Sequence, residues 1–259
     1  MRDAFAFLDE PYYLRHYGSA TVTPATPTST VMLRQRLALA SSFCPPLLLT
    51  CRVTGRWAPA ECDTCIRTAA PSDPGTGSTG CWSWLPGTEK SVKSLSTLQQ
   101  SYLDTVGNNA NLLLNMAPDR RGLVPDSDMS AYRALGQWVN ASFGEHALLA
   151  SATNLGGEVT SLKAAAKLAR TPTAVVMMED LTQGQRVHAW SLELSTGDGD
   201  LAWSPVANGT SIGHKKIQPL DANIAKGWAA APSSELRLRV TRTDARAAGP
   251  AVIHALRVY

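Results

Sequence analysis

The stretch Tyr102-Leu103-Asp104-Thr105-Val106-Gly107-Asn108-Asn109-Ala110-Asn111-Leu112-Leu113-Leu114-Asn115-Met116 joins the end of one pattern to the start of another. Upstream of it, Val92, Leu95, Leu98, Tyr102 and Val106 recur every three or four residues, which places them on one face of a helix. Gly107 stands just past that helix, where a glycine best accommodates the terminating backbone. Downstream, Asn111 to Met116 is a short apolar run flanked by polar residues, and it predicts a strand buried on both faces. After turn residues Pro118 and Gly122, Pro125-Asp126 opens a second helix with Met129, Tyr132, Leu135, Trp138 and Val139 on its apolar face. Helix, buried strand, turn and helix in that order is α/β grammar.

The grammar changes after residue 146. His188, Trp190, Leu192 and Leu194 alternate with smaller or polar neighbours. Leu236, Leu238 and Val240 alternate with Arg237, Arg239 and Thr241, and Val252 to Tyr259 predicts a last strand. Turn signals such as Gly197-Asp198-Gly199 and Asn208-Gly209 separate them, so residues 147–259 predict an antiparallel β-sandwich or jelly roll. The boundary is expected near Gly144. Towards the N-terminus, residues 1–56 lack a sustained period. Thr21 to Thr30 and Asp73 to Gly80 are Pro/Thr/Ser- and Gly/Ser/Thr-rich, which predicts irregular or disordered chain.

Composition narrows the function classes. A net charge of +3, with no basic run or basic-aromatic stripe, argues against a nucleic-acid partner. The apolar stretch Leu37 to Leu49 is broken by Pro45 and Pro46 and is too short to span a bilayer, so no membrane partner is expected. Met1 is followed by acidic and aromatic residues, not by a basic then apolar run, so no signal peptide is read there. All five cysteines lie before residue 82. Cys62 and Cys65 form a lone CxxC without a second pair, which favours disulfides or buried thiols over a metal site, and no metal or other cofactor is expected. Asn140-Ala141-Ser142 and Asn208-Gly209-Thr210 are candidate N-glycosylation acceptors.

Several segments, in order, resemble one family. Trp57-Ala58-Pro59-Ala60-Glu61-Cys62-Asp63, then Ile66-Arg67, then Trp82-Ser83-Trp84, is similar to the W-x-P-x-E-x-D-x-x-I-R…W-x-W segment of family 29 α-L-fucosidases. The stretch quoted at the start resembles their late barrel helix and strand, and Pro118-Asp119-Arg120-Arg121-Gly122-Leu123 continues it. Gly184-Gln185-Arg186-Val187 and Gly209 to Ile217 resemble their C-terminal domain.

The resemblance implies a C-terminal portion of a (β/α)8 barrel over 57–143, followed by a jelly-roll or discoidin-like sandwich. It also implies retaining removal of terminal α-L-fucose from glycans, with two carboxyl groups about 5 Å apart. Glu61 matches the acid/base glutamate found in part of the family. Trp57, Arg67, Trp82 and Trp84 are candidate sugar contacts. For Arg67 a structural ion pair is an equal alternative, and for the two later tryptophans a buried packing role is. Asn115 ends a strand on the side where such barrels build their active face. Glu158, Glu179 and Asp180 have no spacing that asks for catalysis. The partner is a fucosylated glycan or glycoconjugate, a homo-oligomer is left open, and the location is the secretory pathway, extracellular or lysosomal.

The chain also departs from the family. The nucleophilic aspartate belongs on an earlier strand, yet Tyr12 to Thr30 contains no aspartate, and Asp3 and Asp9 lack the family context. The nucleophile is therefore unassigned. The loop from Thr68 to Cys81 is long, and Leu85 stands where a histidine often follows the second tryptophan. These departures imply a truncated chain, weakly active or inactive by itself. The alternative is a non-catalytic carbohydrate-binding or structural module built on the sandwich, with Trp203, Trp228 and His214 as its candidate contacts and a packing role as the other reading of all three.

Overall fold

The computed structural model describes residues 60–68, 83–153, 159–163, 168–182, 184–195, 203–230, 235–244 and 249–259. The readings made for residues 1–56, for Trp57, Trp82 and Glu158, and for most of the loop from Thr68 to Cys81 lie outside them. Two compact units divide the chain: Met1–Ser101 with Asn111–Ala141, and Tyr102–Ala110 with Ser142–Tyr259.

The first unit alternates strand and helix. Its elements are β1 (Ala60–Cys65), most of α1 (Leu95–Thr105), β2 (Ala110–Asn115) and α2 (Asp126–Phe143). β1 and β2 pair as a two-stranded sheet. Past β1 the chain stays tied on both sides. The Ile66 amide donates to the Asn115 carbonyl at 2.9 Å, while the Ile66 carbonyl accepts from the Lys93 amide at 2.9 Å. Val92 accordingly bridges to Arg67 and does not begin the helix, and Leu95 is left 40% exposed at the helix start. Leu98 and Tyr102 carry the buried stripe of α1.

The Asn111–Met116 run does not make a strand buried on both faces, because Leu113 is 42% exposed and Asn111 is exposed beside it. β2 has one strand neighbour among the described residues, so only alternate side chains are covered.

The second unit is antiparallel throughout. Its strands are β3 (Ala150–Ala152), β4 (Val159–Lys163), β5 (Ala174–Glu179), β6 (Val187–Ser195), β7 (Ser204–Gly209), β8 (Lys216–Pro219), β9 (Glu235–Thr243) and β10 (Ile253–Val258). A helix, α3 (Ala222–Ala230), lies between β8 and β9. One sheet has the order β3-β10-β5-β8 and the other β4-β9-β6-β7.

Their apolar residues meet in one core. Val175 and Met177 of β5 and Leu256 and Val258 of β10 join Trp190 and Leu192 of β6, Leu236 and Leu238 of β9, and Trp228 of α3. The period-two pattern explains β9: Leu236, Leu238 and Val240 go inward, which sends Arg237 and Arg239 to the other face. On β6 the same rule breaks. Register shifts at Val187/Ala189 and Ala189/Trp190 insert a residue, so Val187 is buried and His188 is half-exposed. A simple alternation through His188 misses this, because a bulge resets which face follows it.

The stretch Gly107-Asn108-Asn109 acts entirely within the second unit. The Asn108 amide donates to the Leu103 and Asp104 carbonyls at 3.1 and 3.2 Å, satisfying the end of α1. Its oxygen accepts from Lys216 Nζ at 2.5 Å, and the Gly107 carbonyl accepts from the Ile217 amide at 2.9 Å. Asn109 adopts a left-handed backbone, φ 66°, and its Oδ1 accepts from the His214 amide at 2.6 Å. Gly213, also left-handed at φ 65°, is required opposite it, since a Cβ there would fall 2.3 Å from the Asn109 amide nitrogen. No helix among the described residues is long and apolar enough to cross a membrane.

Candidate active site

β1 carries the only predicted catalytic residue. Its burial alternates imperfectly: Cys62 and Cys65 are buried, while Glu61 and Asp63 are exposed. Residues two apart on a strand share a face, so the two carboxylates sit on one exposed row about 7 Å apart along the backbone. Sequence reading singled out Glu61 and passed over Asp63. The signal available was that period-two spacing. Cys62 and Cys65 are both disulfide-bonded, so neither offers a thiolate to a metal. No group of three or more potential metal ligands occurs among the described residues.

Arg67, just past β1, is held in a buried ion pair. Its Nε donates to both Asp128 oxygens at 3.0 and 3.1 Å, with Nη2 2.9 Å from Oδ1. Nη1 donates to Thr88 Oγ1 at 2.6 Å, and the Thr88 hydroxyl in turn donates to the Leu85 carbonyl at 2.7 Å. Arg67 and Asp128 are 5% and 1% exposed. Of its two readings, sugar contact and structural ion pair, the guanidinium is engaged in the second. Asp128 was not foreseen. In sequence it reads as an acidic residue favouring the first turn of α2, and nothing local reveals a partner 61 residues away.

The turn after β2 is built by Asp119, whose carboxylate accepts from the Arg121 amide at 2.8 Å and from Arg121 Nη2 at 2.7 Å. Those bonds, the Arg121 side chain first, hold the Asp119 carboxyl below the usual aspartate range. Arg120 leaves the same turn and places its guanidinium carbon 6.0 Å from the Trp84 ring, the outer limit of a cation–π contact. Trp84 is half-buried, and Asn115 closes β2 through the Ile66 bond already described.

The residues considered for sugar binding in the second unit separate. Trp228 is 1% exposed in the core, so of its two readings, sugar contact and packing, it takes the second. His214 is half-buried, with its amide bound by Asn109. Trp203 is half-buried under the Arg237 guanidinium, 3.9 Å from its ring centroid, and Arg237 also pairs with Glu193. Asn140 is exposed on α2 and Asn208 is exposed on β7.

Glu179 is a buried carboxyl, 3% exposed, at the end of β5. It accepts from the Arg186, Val187 and Gly213 amides at 2.5, 2.9 and 3.1 Å. Burial pushes it above the usual glutamate range, while those three bonds and the charge of nearby His188 oppose the rise. A carboxyl raised in the folded state takes up its proton there before it does in the unfolded chain. Its favourable contribution is therefore complete below the ordinary glutamate range and is lost as pH rises through the folded value. Wild-type stability measured against Glu179→Gln is expected to improve as pH falls from neutral to about 4. Urea melts of both proteins across that range check it, and the opposite slope would disprove it.

Residues 72–144 match the family model described as Alpha-L-fucosidase. A protein of Oryza sativa subsp. japonica, provisionally named α-L-fucosidase 1, is 26% identical, the match covering 62% of this chain and 34% of the relative. Alpha-L-fucosidase 1 of Arabidopsis thaliana is 25% identical, over 62% of this chain and 35% of the relative. A solved structure from Bacteroides thetaiotaomicron, provisionally described as an α-L-fucosidase, is similar with a TM-score of 0.61 and 26% identity. That likeness covers 78% of this chain and 41% of the other. The chain spans about a third of the length of the curated relatives it matches.

Proposed function

We propose that this chain belongs to the α-L-fucosidase family and carries the late part of that family's catalytic barrel, followed by its C-terminal sandwich. The reaction is removal of terminal α-L-fucose from a fucosylated glycan by a retaining, two-carboxylate mechanism. The observation that carries this reading is the family match over residues 72–144, which continues the motif order begun at Trp57.

Glu61 is the acid/base residue in this reading, first protonating the departing glycosidic oxygen and then activating water. Its exposed place on β1 leaves it open to substrate. Trp84 offers a ring to a sugar, and Arg67 is a strut that fixes the chain leaving β1 to α2. No cofactor enters the chemistry, and the compartment is the secretory pathway, extracellular or lysosomal.

Retaining hydrolysis needs a second carboxylate to form the glycosyl-enzyme bond, and no residue of this sequence matches the family's nucleophile. The chain alone is therefore expected to give little or no turnover of a nitrophenyl α-L-fucoside. The assay on the purified chain, with Glu61→Gln beside it, decides. Clear turnover that Glu61→Gln abolishes would refute the inactivity and support the role of Glu61; turnover that survives Glu61→Gln would remove Glu61 from that role.

A further inference from the structure

We propose that Asn208, in preference to Asn140, is a site of N-linked glycosylation. Both lie in acceptor tripeptides, in which an asparagine amide is read together with a hydroxyl two residues on. The fold treats the two differently. Asn140 and Ser142 lie within α2, where residues two apart point about 200° away from each other around the axis. Their amide and hydroxyl diverge. Asn208 lies on β7, which ends at Gly209, with Thr210 at the bend that follows. The chain leaves regular structure at Thr210, so no helical turn separates the amide of Asn208 from the hydroxyl of Thr210. Both residues are exposed.

The setting of β7 adds to this. It is the last strand in the order β4-β9-β6-β7, so its outer side has no strand partner among the described residues. Asn208 stands opposite Ser191 of β6, and its side chain makes no hydrogen bond among the described residues. Gly209 keeps the strand end against the core, since a Cβ there would sit 2.5 Å from the Trp190 ring. A glycan at Asn208 would shield an edge that could otherwise pair with a second copy of the chain.

The transfer is balanced with a lipid-linked oligosaccharide diphosphate as donor. The bond from the sugar's anomeric carbon to the diphosphate oxygen breaks, and a bond from that carbon to Asn208 Nδ2 forms. The lipid diphosphate departs with the electron pair, and the amide gives up one proton.

The test expresses the full chain behind an added secretion signal in a eukaryotic host, followed by peptide-N-glycosidase digestion and peptide mass spectrometry. Supplying the signal separates this proposal from the proposed location and activity of the protein. The wild type is expected to lose the mass of one glycan on digestion, with Asn208 converted to aspartate. Asn208→Gln and Thr210→Ala should show no loss, while Asn140→Gln should behave as the wild type. An unmodified Asn208 in the wild-type peptides overturns the proposal, as does occupancy at Asn140 equal to or above that at Asn208. Because occupancy is read on the wild type, a variant that fails to fold leaves the test intact.

Discussion

Asp128→Ala is expected to destabilise the first unit by about 3–5 kcal/mol, the usual cost of stranding one member of a buried ion pair. The carboxylate is 1% exposed and takes three guanidinium contacts between 2.9 and 3.1 Å, so its removal leaves a buried cation with Thr88 as its remaining side-chain partner. The loss comes from the uncompensated charge and not from the pair's net worth, which makes a double variant informative. Replacing both residues with apolar ones of similar volume, Arg67→Met with Asp128→Leu, should recover most of the stability. Urea denaturation of the singles and the double, followed by far-ultraviolet circular dichroism, gives the comparison. A loss below about 1 kcal/mol in Asp128→Ala would mean that water reaches the pair, as it does at exposed salt bridges.

Trp190→Ala is expected to cost the second unit a similar amount, about 3–5 kcal/mol, through the cavity that a fully buried aromatic leaves. The ring is 1% exposed at the centre of β6, its Nε1 donates to the Ser211 carbonyl at 3.1 Å, and the backbone at Gly209 lies directly against it. Trp190→Phe should recover much of the packing but not the indole bond, placing it between wild type and alanine. Near-ultraviolet circular dichroism through a denaturant titration reports the second unit's packing. If the two variants were equally stable, the ring volume would not be what holds that region.

How far these sites were visible beforehand depended on the range of the interaction. The second helix was readable because Pro125-Asp126 and the spacing of its apolar residues are local, and α2 does begin at Asp126. β9 was readable because a run of alternating leucine and arginine fits only a strand with one covered face. His188 was misplaced because a bulge depends on the partner strand's register, which no single strand encodes. Leu113 was expected to be buried because an apolar run cannot say how many strands lie beside it. At the candidate site, Glu61 was singled out through the flanking motif alone. The pairing of Arg67 with Asp128 needed the fold, since a sequence lists both charges without their distance.

By itself the sequence determined the types of α1, α2, β6, β9 and β10 and the likeness to α-L-fucosidases. Periodicity is a property of neighbouring residues, and ordered motifs survive in the one-dimensional string. Only the tertiary structure decided that Arg67 is a strut in a buried pair, that Trp228 packs in the core, and that Gly107-Asn108-Asn109 joins the end of α1 to β8 and the turn before it. The long-range pairs among them, Arg67 with Asp128, His214 with Asn109 and Lys216 with Asn108, join groups 61, 105 and 108 residues apart. Burial then sets their energy, because a charge or amide shielded from water must find its partner within the protein.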